Sequence, residues 1–117
     1  MSTPLTPLHG LDELEQALAE TCKLPLLLFK HSHTCGISAE ALDELLAHIS
    51  ERRQDVRYAM VTVQTHREVS NAVSARLGVR HETPQAILVR DRRVVWSASH
   101  FRVNAVELGK AIQAVID

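Results

Sequence analysis

The stretch Leu24-Pro25-Leu26-Leu27-Leu28-Phe29-Lys30-His31-Ser32-His33-Thr34-Cys35-Gly36-Ile37-Ser38 decides how this chain folds. Residues 24–31 are a nearly all-apolar run of strand length, the pattern of a strand covered on both faces in a parallel or mixed sheet. Beyond Ile37, the apolar positions Ala41, Leu42, Leu45, Leu46 and Ile49 fall on one helical face, with Glu40, Asp43, Glu44 and His48 on the other. Cys35 stands at the junction between strand and helix. First-turn backbone N–H groups lack intrahelical partners and carry the positive end of the helix dipole. Such a position lowers a cysteine pKa from about 8.5 to roughly 3.5–7.5 and makes the thiol a nucleophile at neutral pH. The bland alternative is a small buried core residue; the flanking Thr34 and Gly36 argue for a turn instead.

Outward from this stretch, residues 1–10 carry Pro4, Pro7 and Gly10 with little periodicity and read as an irregular lead-in. Leu11, Leu14 and Leu18 then recur at helical spacing, predicting an amphipathic helix that ends near Cys22 and is closed by Pro25. Downstream, residues 56–63 are rich in β-branched side chains and predict a strand. Thr65-x-x-Glu68 has the spacing of a capping box for a helix through Val69, Ala72, Val73 and Leu77, stopped by Gly78. Residues 85–89 and 94–97 read as strands joined by the tight link Arg90-Asp91-Arg92-Arg93, hence an antiparallel hairpin. Asn104-x-x-Glu107 caps a last helix carrying Val106, Ala111, Ile112, Val115 and Ile116. Helix, βαβ, helix, ββ, helix is an α/β order. It is also the thioredoxin order with an extra N-terminal helix. The expectation is one domain over residues 11–117, with a mixed sheet of about four strands and helices on both faces.

Composition narrows the function. The 117 residues are 45% apolar and 23% charged, with a formal net charge of -1, so no broad field draws phosphates or anionic lipid. Trp96 and Phe101 are too few and too far from a basic face for base stacking, and Arg90 to Arg93 read as a hairpin tip. Nucleic acid and membrane are therefore set aside as partners. The apolar run 24–29 is too short to span a bilayer, and the N-terminus has no basic region followed by a long apolar stretch. A cytoplasmic location is expected, where a disulfide between Cys22 and Cys35 is disfavoured.

Three residues after Cys35 stands Ser38, so the motif is Cys-Gly-Ile-Ser and lacks a local resolving thiol. A lone cysteine stops at the mixed disulfide until another thiol resolves it, which favours chemistry with a low-molecular-weight thiol. Ser38 either donates a hydrogen bond to the thiolate or is an ordinary helix-terminus residue. Lys30, His31 and His33 are placed to add positive charge. Thr83-Pro84 precedes the hairpin, where a cis bond would expose the preceding backbone to an extended substrate. A metal reading also exists, since His31, His33 and Cys35 alternate and imidazole with thiolate suits zinc or copper. Cys22 has no activating donors and reads as structural. His9, His48, His66, His81 and His100 are scattered without ligand spacing and read as surface.

The segment from Phe29 to Ser38, followed by Glu82-Thr83-Pro84-Gln85, resembles the YtxJ family of monothiol bacilliredoxins from about Leu26 to the C-terminus. The resemblance implies a thioredoxin-like fold and removal of bacillithiol from protein mixed disulfides. Cys35 would be the attacking residue, and Thr34, Gly36, Ile37 and Ser38 its active-site turn. S-thiolated client proteins, a low-molecular-weight thiol as cosubstrate and a separate reductant are the implied partners, with no redox cofactor. Family members usually have proline where Gly36 stands, which loosens the start of the helix. Gly36 also makes the motif similar to the Cys-Gly-Phe-Ser of monothiol glutaredoxins, so an iron–sulfur or metal-binding protein with Cys35 as ligand is a rival reading. A non-catalytic thioredoxin-like module is another.

Overall fold

A computed structural model describes residues 5–50 and 56–116. Its elements are β1 (Leu5–Pro7), α1 (Leu11–Ala19) with a 3-10 turn (Glu20–Cys22), β2 (Leu26–His31), α2 (Gly36–Ser50), β3 (Arg57–Thr62), α3 (Arg67–Leu77), β4 (Gln85–Arg90), β5 (Arg93–Ser99), a second 3-10 turn (His100–Arg102) and α4 (Ala105–Ile116). The strands form one mixed sheet in the order β1-β3-β2-β4-β5. β2 lies at its centre, parallel to β3 with Leu28 opposite Ala59, and antiparallel to β4 with Lys30 opposite Gln85.

The apolar run in β2 is continuous because both faces are covered. Leu27 and Phe29 point into one core with Ala41 and Leu45 of α2 and Leu108 and Ile112 of α4. Leu26 and Leu28 point into the other, with Leu14 and Leu18 of α1 and Val69 and Val73 of α3. Each fully buried Leu or Val contributes roughly 1.5–3 kcal/mol relative to exposure, so α2 and α3 are clamped on opposite faces by packing more than by propensity.

The lead-in expected to be irregular contains a fifth strand. β1 pairs parallel with β3, Leu5 opposite Tyr58, and Leu8 N donates to the Met60 carbonyl at 2.9 Å. Three residues ending in a proline carry almost no periodic signal, and Pro7 is tolerated because β1 is an edge. The capping box on Thr65 is also corrected: α3 begins at Arg67 with His66 at its N-cap, and the Thr65 hydroxyl turns to His66 Nδ1 at 2.8 Å. The other punctuation holds. Gly78 ends α3 in the left-handed region at φ +67°, and Asn104 Oδ1 accepts from Glu107 N at 2.9 Å.

The hairpin turn puts Asp91 (φ 52°) and Arg92 (φ 64°) in the left-handed region, as a two-residue link matching strand twist requires. Thr21, buried beneath it, holds both amides: its carbonyl accepts from Asp91 N at 3.0 Å and its Oγ1 from Arg92 N at 2.8 Å. No helix among the described residues is long and apolar enough to cross a membrane.

Candidate active site

β2 ends at His31, and the next four residues turn the chain back into α2. Cys35 N donates to the Ser32 carbonyl at 3.3 Å, and the Cys35 carbonyl accepts from Ala39 N at 3.1 Å. Cys35 is therefore the N-cap of α2, and Gly36, Ile37 and Ser38 are its first turn. Cys35 is partly exposed and its thiol is free. It stands at the positive end of the α2 dipole, beside first-turn amides that have no intrahelical partner.

Ser38 does not serve the sulfur. It is fully buried, and its Oγ accepts from Ser32 N at 2.9 Å and shares a 2.8 Å hydrogen bond with His31 Nδ1. It thus pins the end of β2 to the first turn of α2 and fixes the loop that presents Cys35. His31 stacks on Phe29 with ring centroids 5.9 Å apart. Burial, then the neighbouring His33, hold the His31 pKa below the usual 6.5, so it is neutral at pH 7 and supplies no cation to the site.

Lys30 is also not a neighbour of Cys35. Strand alternation sends it to the opposite face, toward α3, where Nζ meets Ser74 Oγ at 2.7 Å and His81 Nδ1 at 3.1 Å. The expectation that Lys30 tunes the thiolate is corrected by this direction. Thr34 stays with the turn: its Oγ1 lies 3.4 Å from Ser32 Oγ.

Gln64, in the link between β3 and α3, completes the loop's restraint and was missed from sequence. Its Nε2 donates to Ser32 Oγ at 2.6 Å and Thr34 Oγ1 at 3.1 Å, and its Oε1 accepts from His33 N at 3.3 Å. Three successive loop residues are held by one amide side chain. No local spacing announces this, because the partners are about 30 positions apart in the chain.

The Thr83–Pro84 peptide bond is cis. β4 starts at Gln85 opposite Lys30, so this bond lies at the end of the sheet where β2 delivers Cys35. Pro84 is buried and its carbonyl accepts from His100 N at 3.0 Å. A cavity of about 430 Å³ opens beside the first turns of α2, between Ile37, Glu40 and Ala41 on one side and Phe101, Val103 and Asn104 on the other. Phe101 is 70% exposed at its rim.

Cys22 is exposed rather than part of a core, its Sγ donating to the Ala19 carbonyl at 3.3 Å. It precedes β2 whereas Cys35 follows it, so the two thiols lie toward opposite ends of that strand. Among the described residues, no three His, Cys, Asp or Glu side chains gather to hold a metal ion. Of the residues that the metal reading invokes, His31 has its Nδ1 engaged by Ser38.

The family model described as monothiol bacilliredoxin BrxC matches residues 6–108. A solved structure described as a candidate oxidoreductase with a thioredoxin fold shares 31% identity, superposes with a TM-score of 0.82, and covers 92% of each chain. Thioredoxin from Fasciola hepatica shares 19% identity at a TM-score of 0.76 over 93% of this chain and 97% of its own. Poplar thioredoxin h shares 17% at 0.78, over 98% of both chains. The latter two establish the fold alone.

Proposed function

The chain belongs to the monothiol bacilliredoxin BrxC family and is a thiol–disulfide oxidoreductase, and from that premise we propose that it removes bacillithiol, or a similar small thiol, from protein mixed disulfides. The Cys35 thiolate attacks the sulfur of the small thiol in a client's mixed disulfide. The client–thiol S–S bond breaks, a new S–S bond joins the small thiol to Cys35, and the client sulfur leaves as a thiolate that takes a proton from water. A second thiol, free bacillithiol or a separate reducing partner, then attacks the adduct. It leaves as a disulfide with the bound small thiol and returns Cys35 to the thiolate.

One observation carries this reading: the only thiol at the site is a partly exposed N-cap cysteine, with a buried serine three residues on. Such a site stops at the mixed disulfide, which is the state a dethiolating enzyme must reach. Supporting it, the cavity of about 430 Å³ beside Ile37 is of a size to receive a small thiol. A reducing compartment such as the cytoplasm fits two free cysteines.

The test uses Cys22→Ser protein and the Cys22→Ser/Cys35→Ser double variant with a bacillithiol-modified client. Intact mass should show one bacillithiol adduct in the first and none in the second, with the client recovered reduced only in the first. Equal client reduction by both would overturn the assignment.

A further inference from the structure

Lys30 is completely buried in the centre of the sheet, on the face away from Cys35. Its ammonium meets two neutral groups, Ser74 Oγ on α3 and His81 Nδ1 in the segment that follows α3, and no carboxylate pairs with it among the described residues. Burying a cation with only neutral partners is costly, and an apolar side chain of similar length would serve the packing better. The group it reaches explains its presence. His81 lies midway along residues 79–83, which have no regular structure and run from the left-handed Gly78 to the cis peptide at Pro84.

The same strip of sheet holds this segment a second time. Gln85, the cross-strand partner of Lys30, is 4% exposed, and its Nε2 donates to the Arg80 carbonyl at 2.9 Å. Lys30 thus fixes the side chain of residue 81 while Gln85 fixes the backbone of residue 80. Thr83 follows two residues later at the end of the sheet that carries Cys35. We propose that Lys30 and His81 form a latch that positions the backbone leading into Pro84 for the disulfide-bearing substrate, so that Lys30 acts on the exchange reaction from the far face of the sheet through substrate binding. The inference rests on the exchange reaction proposed above. Lys30 and His81 are positioning residues in it and touch no reacting atom.

Burial holds the Lys30 pKa at about 8. Burial first, then Lys30 and Arg67, hold His81 below 6.5 against the opposing pull of Glu82. His81 is therefore neutral at pH 7 and keeps Nδ1 free to accept from the ammonium.

The test compares wild type with Lys30→Met, His81→Leu, the double variant, and His81→Gln, whose amide oxygen replaces Nδ1 as acceptor. Three quantities are read: Michaelis constants for a bacillithiol-modified protein, amide hydrogen exchange of residues 79–83, and the rate of Cys35 alkylation by iodoacetamide. Lys30→Met and His81→Leu should each raise KM and speed exchange in that segment by about five- to tenfold, the scale of one lost hydrogen bond. kcat and alkylation stay at wild-type values, His81→Gln stays near wild type, and the double variant is no worse than either single one. Unchanged KM, unchanged exchange, or a fall in kcat together with alkylation would overturn the latch. His81→Leu changes an exposed residue and carries the test if Lys30→Met does not fold. Wild-type protein that transfers no bacillithiol would overturn the proposed function instead, and unaltered exchange in the variants would still overturn the latch on its own.

Discussion

Replacing Ser38 by alanine isolates the contact that shapes the nucleophile's loop. The alanine fits where the serine stood, so packing changes little, but the Ser32 amide loses its 2.9 Å acceptor and His31 Nδ1 its 2.8 Å partner. Ser38 is fully buried and Ser32 is 9% exposed, which leaves the orphaned amide little access to water. An unsatisfied buried donor costs roughly 1–3 kcal/mol. His31 is only partly buried and recovers solvent at its ring, so its share is smaller, and the sum comes to about 2 kcal/mol. For a chain of this length, that is a fall in Tm of roughly 8 °C. The assay is urea unfolding of wild type and Ser38→Ala at pH 7, with amide exchange at Ser32 followed alongside. The midpoint should fall with an unchanged m-value, and exchange at Ser32 should rise by at least the factor the stability loss implies. A midpoint within the equivalent of about 0.5 kcal/mol of wild type would mean that the two hydrogen bonds contribute nothing net to the fold.

Gly36→Pro should stabilise the protein by about 0.5–1 kcal/mol, since proline suits the first position of a helix and restricts the unfolded chain. A Cβ at Gly36 meets nothing within 4 Å, so a lower urea midpoint would show that this reading of the first turn is mistaken. The pH dependence of stability follows from Lys30, whose pKa is lowered by burial from 10.5 to about 8. Between those values the unfolded chain binds a proton that the folded one has released, so stability rises with pH across this window and is lost again as pH falls through 8. Its ceiling is on the order of 3 kcal/mol. The difference in urea midpoint between wild type and Lys30→Met should shift in favour of wild type from pH 8 to pH 10, and a constant difference would contradict the burial.

Most of the fold was legible because its signals are local. The βαβ unit shows as an apolar run, a one-sided helix and a β-branched run, and the hairpin as two strands around a four-residue polar link. Gly78 and Asn104 each do what their residue type does at a helix end. β1 was illegible because an edge strand of three residues is defined by its partner, and Tyr58 lies far along the chain from Leu5. The site divides in the same way. The position of Cys35 at a helix start is a local fact. The direction of Lys30 depends on which helix covers which face of β2, which only the tertiary arrangement fixes. Gln64 belongs wholly to that second class, since it reaches the loop from another strand's end.

Ser38 connects the shape of the site to its chemistry. In a Cys-x-x-Cys protein, the residue three positions after the nucleophile must reach the nucleophile's sulfur to release a trapped partner. Here that position is turned inward, with its side chain committed to Ser32 and His31. The loop gains its rigidity from a serine at the position where a Cys-x-x-Cys protein carries its resolving thiol. In the proposed reaction the second half of the exchange therefore falls to a thiol from solution, and the lifetime of the Cys35 adduct is set by how readily such a thiol reaches it. Gln64 and Ser38 restrain the turn from both sides, and the cavity lined by Ile37 opens two residues beyond the Cys35 that this turn presents. Because Cys35 is partly exposed, an adduct on it in the proposed reaction is open to the incoming thiol, and a single cysteine then suffices for turnover.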